Sequence, residues 1–317
     1  MKMTVIVPTY RRPKDLARCL EALKKQSRPA DELLVVVRDT DAETWAFLET
    51  FKPETLALRT LTVTEPGAIA AMNVGLDAAT GDIISFTDDD AAPRPDWLAF
   101  IEPHFLSDSR IGGVGGRDWL YRGTQLEEGA KEVVGRLQWF GRVIGNHHLG
   151  VGKAREVDVI KGVNMSFRRS AITSRHFDRR MRGTSAQIHF EIEFCLALKK
   201  AGYKLIYDPM VAVDHYLGQR FDEDQRDKFN ELAMLNIVHN KTLALLEHLT
   251  PAQRVIFVIW AILVGTSTEP GFLQGLRLLL REGRLAGPKL LTSFRGHLQA
   301  WQTWQETRFD KSISSYM

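Results

Sequence analysis

The stretch Ile83-Ile84-Ser85-Phe86-Thr87-Asp88-Asp89-Asp90 constrains this chain more than any other. Apolar and β-prone residues lead directly into three carboxylates. That is the pattern of a buried strand delivering charge at its carboxyl end, where open α/β sheets bind ligands. On an extended backbone Asp88 and Asp90 point to one side and Asp89 to the other, so one pair converges on one cation. A hard divalent metal would relieve the repulsion among the three and hold a diphosphate. The competing reading is a solvated strand end, with one aspartate capping a helix that starts at Pro95.

The flanking sequence predicts the sheet that such a strand needs. Residues 4–7 form a short buried strand, Pro13 opens a helix with Leu16, Cys19, Leu20 and Leu23 at helical spacing, and residues 32–37 form the next strand. This is a βαβ unit, so the sheet starts parallel. Further strands are expected at 56–63, 83–87, 157–167, 204–207 and 210–213, with helices at 67–80, 95–105 and 190–201. The glycine run at 112–116 predicts close backbone approach or a sharp turn beside the sheet. Residues 119–156 show little periodicity and suit a wall over a substrate site. A largely helical stretch follows from 222 to 249.

Several classes are excluded. After the first strand stands Pro8-Thr9-Tyr10-Arg11-Arg12 rather than a glycine-rich dinucleotide fingerprint, and neither a phosphate-loop nor a nucleophile-elbow motif occurs. A net charge of +3 on 317 residues gives no ground for a nucleic-acid partner. The two cysteines, Cys19 and Cys195, lie in helix-like patterns and predict no disulfide framework. The amino terminus lacks a signal-peptide pattern, so a cytoplasmic protein is expected.

The carboxyl-terminal region differs in character. Residues 255–264 are apolar and uncharged, but about 15 Å of helix does not cross a hydrocarbon core of roughly 30 Å. Beyond them Leu276, Leu279, Leu280, Leu285, Leu291, Leu298, Trp301 and Trp304 alternate with Arg277, Arg281, Arg284, Lys289 and Arg295. This suits anionic lipid headgroups, and it equally suits a helical pair folded on the catalytic domain or a second subunit.

Five stretches in order resemble family 2 of the glycosyltransferases, inverting enzymes of the GT-A fold. They are Val5 through Arg12, Asn73 through Asp82, Phe86 through Asp90, Gly162 through Arg169, and Glu191 through Leu196 leading to Ala201-Gly202-Tyr203. The resemblance covers about residues 3–220. It implies an α/β GT-A catalytic domain over 1–220; the remaining 221–317 is expected, from its own residues, to be a helical, membrane-associating appendage. The implied donor is a nucleoside-diphosphate sugar, a UDP-sugar by preference. The acceptor is a hydroxyl of a glycan or lipid-linked molecule in cell-surface polysaccharide or glycolipid synthesis, at the cytoplasmic face of the membrane.

The same resemblance assigns residues. Pro8, Thr9, Arg11, Arg12, Asn73, Asp88 and Asp89 match donor-binding positions, with Asp39 or Asp41 as the acid that holds base or ribose, because Arg38 stands where many members have an aspartate. Asp88 and Asp90, with His215, match the ligands of a Mn²⁺ or Mg²⁺ ion. Gly162, Asn164 and Met165 match the acceptor side. Glu191 is the expected general base, ahead of Glu193 and His189, although Phe190 replaces the first acid of the family's Glu-Asp motif. A sugar-nucleotide nucleotidyltransferase and a non-catalytic assembly partner are the rival readings.

Overall fold

The computed structural model describes residues 1–221, 223 and 228–314, with side chains placed through residue 308. The parallel start expected from the sequence is present. β1 (Met3–Thr9), α1 (Pro13–Lys24), β2 (Glu32–Arg38), α2 (Ala42–Thr50), β3 (Leu58–Val63), α3 (Ala68–Ala78) and β4 (Ile83–Thr87) follow one another. Strands β3, β2, β1 and β4 lie side by side and pair in parallel. Their composition explains this: Leu33 to Val37 are fully buried, as befits strands covered on both faces. Leu16, Cys19, Leu20 and Leu23 of α1 are buried as their spacing predicts, and Pro13 occupies a first-turn position where no N–H is needed.

The other half of the sheet is mixed. β5 (Ala91–Pro93), α4 (Trp97–Ser107), β6 (Ile111–Arg122), β7 (Gln125–Leu126), β8 (Arg136–Leu137), β9 (Val143–Ile144), β10 (Arg155–Val157), β11 (Asn164–Arg168), α5 (Arg169–Ile172), α6 (Phe190–Lys200) and β12 (Lys204–Tyr216) complete it. The strand order is β10-β12-β6-β11-β4-β1-β2-β3, with β5 on β12 and β7 on β6, while β8 and β9 form a separate pair. β11 runs antiparallel to both β4 and β6, and β12 is parallel to β6.

Local expectations needed correction where tertiary contacts decide. The helix expected from Pro95 begins at Trp97, whose buried indole donates to Asn164 Oδ1 at 2.8 Å. The strand expected over 157–167 is two strands, β10 and β11. The two short strands expected over 204–213 are one, β12, interrupted by register shifts around Asp208. The glycine run is itself strand β6, because its neighbours come too close for side chains. A Cβ on Gly116 would lie 1.7 Å from the Val211 carbonyl oxygen and 2.6 Å from that of Asp208, both backbone atoms at the β12 irregularity. Gly116→Ala is therefore expected to cost about 3 kcal/mol or more, read as a drop in midpoint in urea unfolding. A change within experimental error would show that β12 yields freely here.

By compactness the chain forms two units. The first holds residues 1–136, 144–177 and 194–219, and the second holds 137–143, 178–193 and the described residues from 220 onward. The second unit is helical: α7 (Glu231–His248), α8 (Pro251–Leu263), α9 (Phe272–Glu282) and α10 (Ala286–Ser314). The helical stretch expected from 222 starts at Glu231, where Asn230 caps it by accepting from Ala233 N–H; residues 222 and 224–227 lie outside the described ones. Thr250 and Gln253 form a reciprocal capping box on α8. α7 is the unit's core: Val238, Leu243, Leu245 and Leu246 are fully buried, and Gly296 of α10 packs on Val238. No described helix is long and apolar enough to cross a membrane.

Candidate functional site

The three aspartates sit on a turn, not on an extension of β4. The strand ends at Thr87, and Ala91 N–H donates back to the Asp88 carbonyl at 3.1 Å before β5 begins. The division of labour expected from alternation is nevertheless present. Asp89 turns inward and is fully buried; it accepts from Thr9 Oγ1 at 2.7 Å and from Arg12 Nε at 3.1 Å. Asp90 accepts from Arg12 Nη1 at 3.0 Å and from the Gly218 N–H at 2.9 Å. Asp88 is half-buried, and its carboxylate has no hydrogen bond or ion pair among the described residues.

Strand register brings the fourth group. β5, three residues long, follows the aspartates and pairs with β12 so that Ala91 faces His215. Ligand atoms of Asp88, Asp90 and His215 then lie within 4.8 Å of one another. His215 Nε2 is 3.4 Å from Asp90 Oδ1, and Nδ1 is 3.5 Å from Oδ2 of the fully buried Asp118 on β6. Asp118 also forms a tight ion pair with Lys161 Nζ, and its Oδ1 has no hydrogen-bond partner among the described residues.

The electrostatics of this cluster favour a cation. Burial opposes charge on His215, but the hydrogen bonds to Asp118 and Asp90 outweigh it and push its pKa up to about 9. Burial pushes Asp88 up, and Asp90 adds to the rise. Asp90 lies well below the usual carboxylate range: burial acts against this, while His215, Arg12 and the Gly218 N–H more than compensate. Burial pushes Asp89 up to about 7 against the pull of Arg12. With His215 neutral and all four carboxylates ionised, Asp88, Asp89, Asp90 and Asp118 exceed Arg12 and Lys161 by two charges, so a divalent ion would balance the fully ionised cluster. Two carboxylates and an imidazole, braced by an outer aspartate on the imidazole's other nitrogen, are a chemically suitable set for Mn²⁺ or Mg²⁺. Metal binding at Nε2 would displace the proton that His215 otherwise holds.

The other predicted positions separate into groups. Pro8 and Thr9 end β1 beside the cluster. Arg12 braces the aspartates rather than projecting from the loop. Arg11 takes a left-handed backbone (φ 57°), and its N–H donates to Asp41. Asp41 is buried and also accepts from Thr44 N–H at 3.1 Å, capping α2, whereas Asp39 is exposed and pairs only with its neighbour Arg38 and the Thr40 N–H among the described residues. Asn73 is buried and bridges both backbone polar groups of Phe177. Asn164 spends its amide on Trp97, Val211 and Arg117, and Met165 is fully buried, so these two side chains tie the sheet together while Gly162 is half-buried ahead of them.

Glu191 and Glu193 both lie in the first turn of α6, within the second unit. Glu193 is buried, with Oε1 3.2 Å from His248 Nε2, while Glu191 is half-buried. His189 has a left-handed backbone and lies 3.7 Å from Glu269. Sequence reasoning missed Asp118, Lys161 and Gly218. Asp118 carried a signal, a single acid two residues past the glycine run and within β6; Lys161 and Gly218 carried none, because their roles depend on sheet pairing and on the chain path after β12.

Comparison with known proteins agrees with this geometry. The profile of Glycosyl transferase family 2 matches residues 4–201. Among curated relatives, the glucosyl-dolichyl phosphate glucuronosyltransferase of Haloferax volcanii is 24% identical over 234 residues, covering 68% of this chain and 70% of that protein. The succinoglycan biosynthesis protein ExoM of Rhizobium meliloti is 40% identical over 97 residues, 29% of this chain and 31% of its own length. Several other relatives are likewise matched over only about a third of their length. In three dimensions, S. aureus TarS 1-349 in complex with UDP-GlcNAc aligns with a TM-score of 0.62 at 17% identity, over 95% of this chain and 81% of that one. The mannosyltransferase PcManGT from Pyrobaculum calidifontis, in complex with GDP-Man and Mn²⁺, aligns with a TM-score of 0.54 at 18% identity, over 94% and 85%. The family profile spans more than half of the chain and includes the strand and turn that carry the aspartates, so the protein belongs to glycosyl transferase family 2.

Proposed function

We propose that the protein is a metal-dependent, inverting glycosyltransferase that moves a sugar from a nucleoside-diphosphate sugar to a hydroxyl of a glycan or lipid-linked acceptor. The observation that carries this reading is the convergence of Asp88, Asp90 and His215, backed by Asp118. Asp88, Asp90 and His215 would hold a divalent ion there, which would supply positive charge to a departing diphosphate. The chain's own residues do the rest. Arg12 and Thr9 hold Asp89 and Asp90 rigid so that the donor site needs no reorganisation. Asp39 is the exposed acid suited to a ribose or base, since Asp41 is taken up in capping.

Glu191 is assigned as the base that removes the acceptor proton. Its sequence position, in the first turn of α6, supports this. A UDP-sugar is the favoured donor because TarS, with a similar fold, was solved with UDP-GlcNAc. A lipid-linked acceptor is suggested by the dolichyl-phosphate relative. The test is nucleoside-diphosphate release from UDP-, GDP- and dTDP-sugars, with Mn²⁺ or Mg²⁺ and with EDTA. Metal-dependent release from one donor is expected; release that EDTA leaves intact would overturn the metal assignment.

A further inference from the structure

Helix α9 exposes a surface that its own unit does not cover. Gly275 and Leu278 face inward, Gly275 against Leu290 of α10, whereas Phe272, Leu273, Leu276, Leu279 and Leu280 are all exposed, Leu280 by 90%. At about 100° per residue these five fall on one arc of roughly 120°, and Arg277 and Arg281 flank it on one side. The preceding helix repeats the pattern: Val255, Ile259, Ile262 and Leu263 of α8 share a face opposite the buried Phe257 and Ala261, and all four are exposed. So many large apolar side chains in the open mark an interaction surface rather than scattered exposure.

The charges indicate what covers it. Lys289 and Arg295 are neutralised by Glu282 and Glu231. Arg277, Arg281 and Arg284 are exposed and have no carboxylate partner among the described residues. Three unpaired guanidinium groups beside an apolar arc complement a surface that is anionic at the headgroup and apolar just beneath it. α8 has 13 residues, about 20 Å of helix, so it is suited to lying in that boundary rather than crossing it.

We infer that α8 and α9 form a peripheral docking surface for an anionic lipid bilayer, with the leucine arc of α9 inserted and Arg277, Arg281 and Arg284 on the headgroups. This stands independently of the catalytic reading, since it needs neither metal nor donor. The test is co-sedimentation of the full chain with phosphatidylcholine vesicles, with and without phosphatidylglycerol. Binding is expected only to the anionic vesicles and should weaken as salt rises.

At about fivefold per arginine, the triple variant Arg277→Gln, Arg281→Gln, Arg284→Gln should lose about a hundredfold in affinity. The double variant Leu276→Ser, Leu280→Ser should lose at least about tenfold with an unchanged melting temperature, because both side chains are exposed. Absence of binding, or binding that both variants retain, would overturn the inference. So would a dimer that the leucine variant dissociates in a protein that ignores vesicles, which would make a second copy the occupant.

Discussion

Glu191→Gln is expected to lower turnover by about 10² to 10⁴-fold, the usual contribution of a positioned general base, while donor affinity stays within a few-fold of wild type. The amide is isosteric and cannot take a proton, so only the step that removes the acceptor proton should suffer. Initial rates with saturating donor, together with equilibrium binding of the nucleoside diphosphate, separate the two quantities. Glu193→Gln serves as the contrast. Its carboxylate is buried against His248, so its loss should act through the stability of the second unit, and the melting temperature should fall while the surviving activity per folded molecule persists. If Glu193→Gln abolished turnover without destabilisation and Glu191→Gln did not, the base assignment would pass to Glu193.

Asp88→Asn should weaken Mn²⁺ affinity by about a hundredfold or more and leave the fold intact or slightly more stable. The reasoning rests on a contrast within one turn. Asp88 makes no hydrogen bond or ion pair among the described residues, and both burial and Asp90 disfavour its charge. Its carboxylate therefore contributes nothing evident to folding, and the loss expected on substitution is of metal binding alone. Asp90 differs, since it pairs with Arg12 and accepts from Gly218. Asp90→Asn should lose metal and also cost about 3 kcal/mol, because Arg12 would be left partly uncompensated in a buried position. Metal titration and thermal melts on both variants distinguish these outcomes. Equal destabilisation by the two would show that Asp88 is a structural residue.

Much of the first unit was legible because its signals are local. The apolar strands β1, β2 and β4 and the spacing of Leu16, Cys19, Leu20 and Leu23 follow from periodicity, whereas the split of Asp89 from Asp88 and Asp90 comes from the turn after β4. What was not legible depends on partners distant in sequence. The glycine run read as close backbone approach or a turn; it is the close approach, made within a strand, because Val211 O and Asn164 O lie where Cβ atoms would be. Asn73 and Asn164 matched motif positions, but their amides are spent on Phe177, Trp97 and Val211, contacts that no short-range pattern encodes. Asp118 reaches His215 only because β6 and β12 pair in one particular register. Arg12 shows the same limit: its identity suggested a phosphate contact, while its place beside two buried carboxylates makes it a brace.

A divalent ion held by Asp88, Asp90 and His215 would carry the chain's affinity for a nucleoside diphosphate. Isothermal titration of UDP into the wild-type protein, with Mn²⁺ and then with EDTA, tests it most directly. Saturable one-site binding is expected with Mn²⁺, abolished by EDTA and weakened or lost in Asp88→Asn. Binding of equal strength with and without the metal would contradict it.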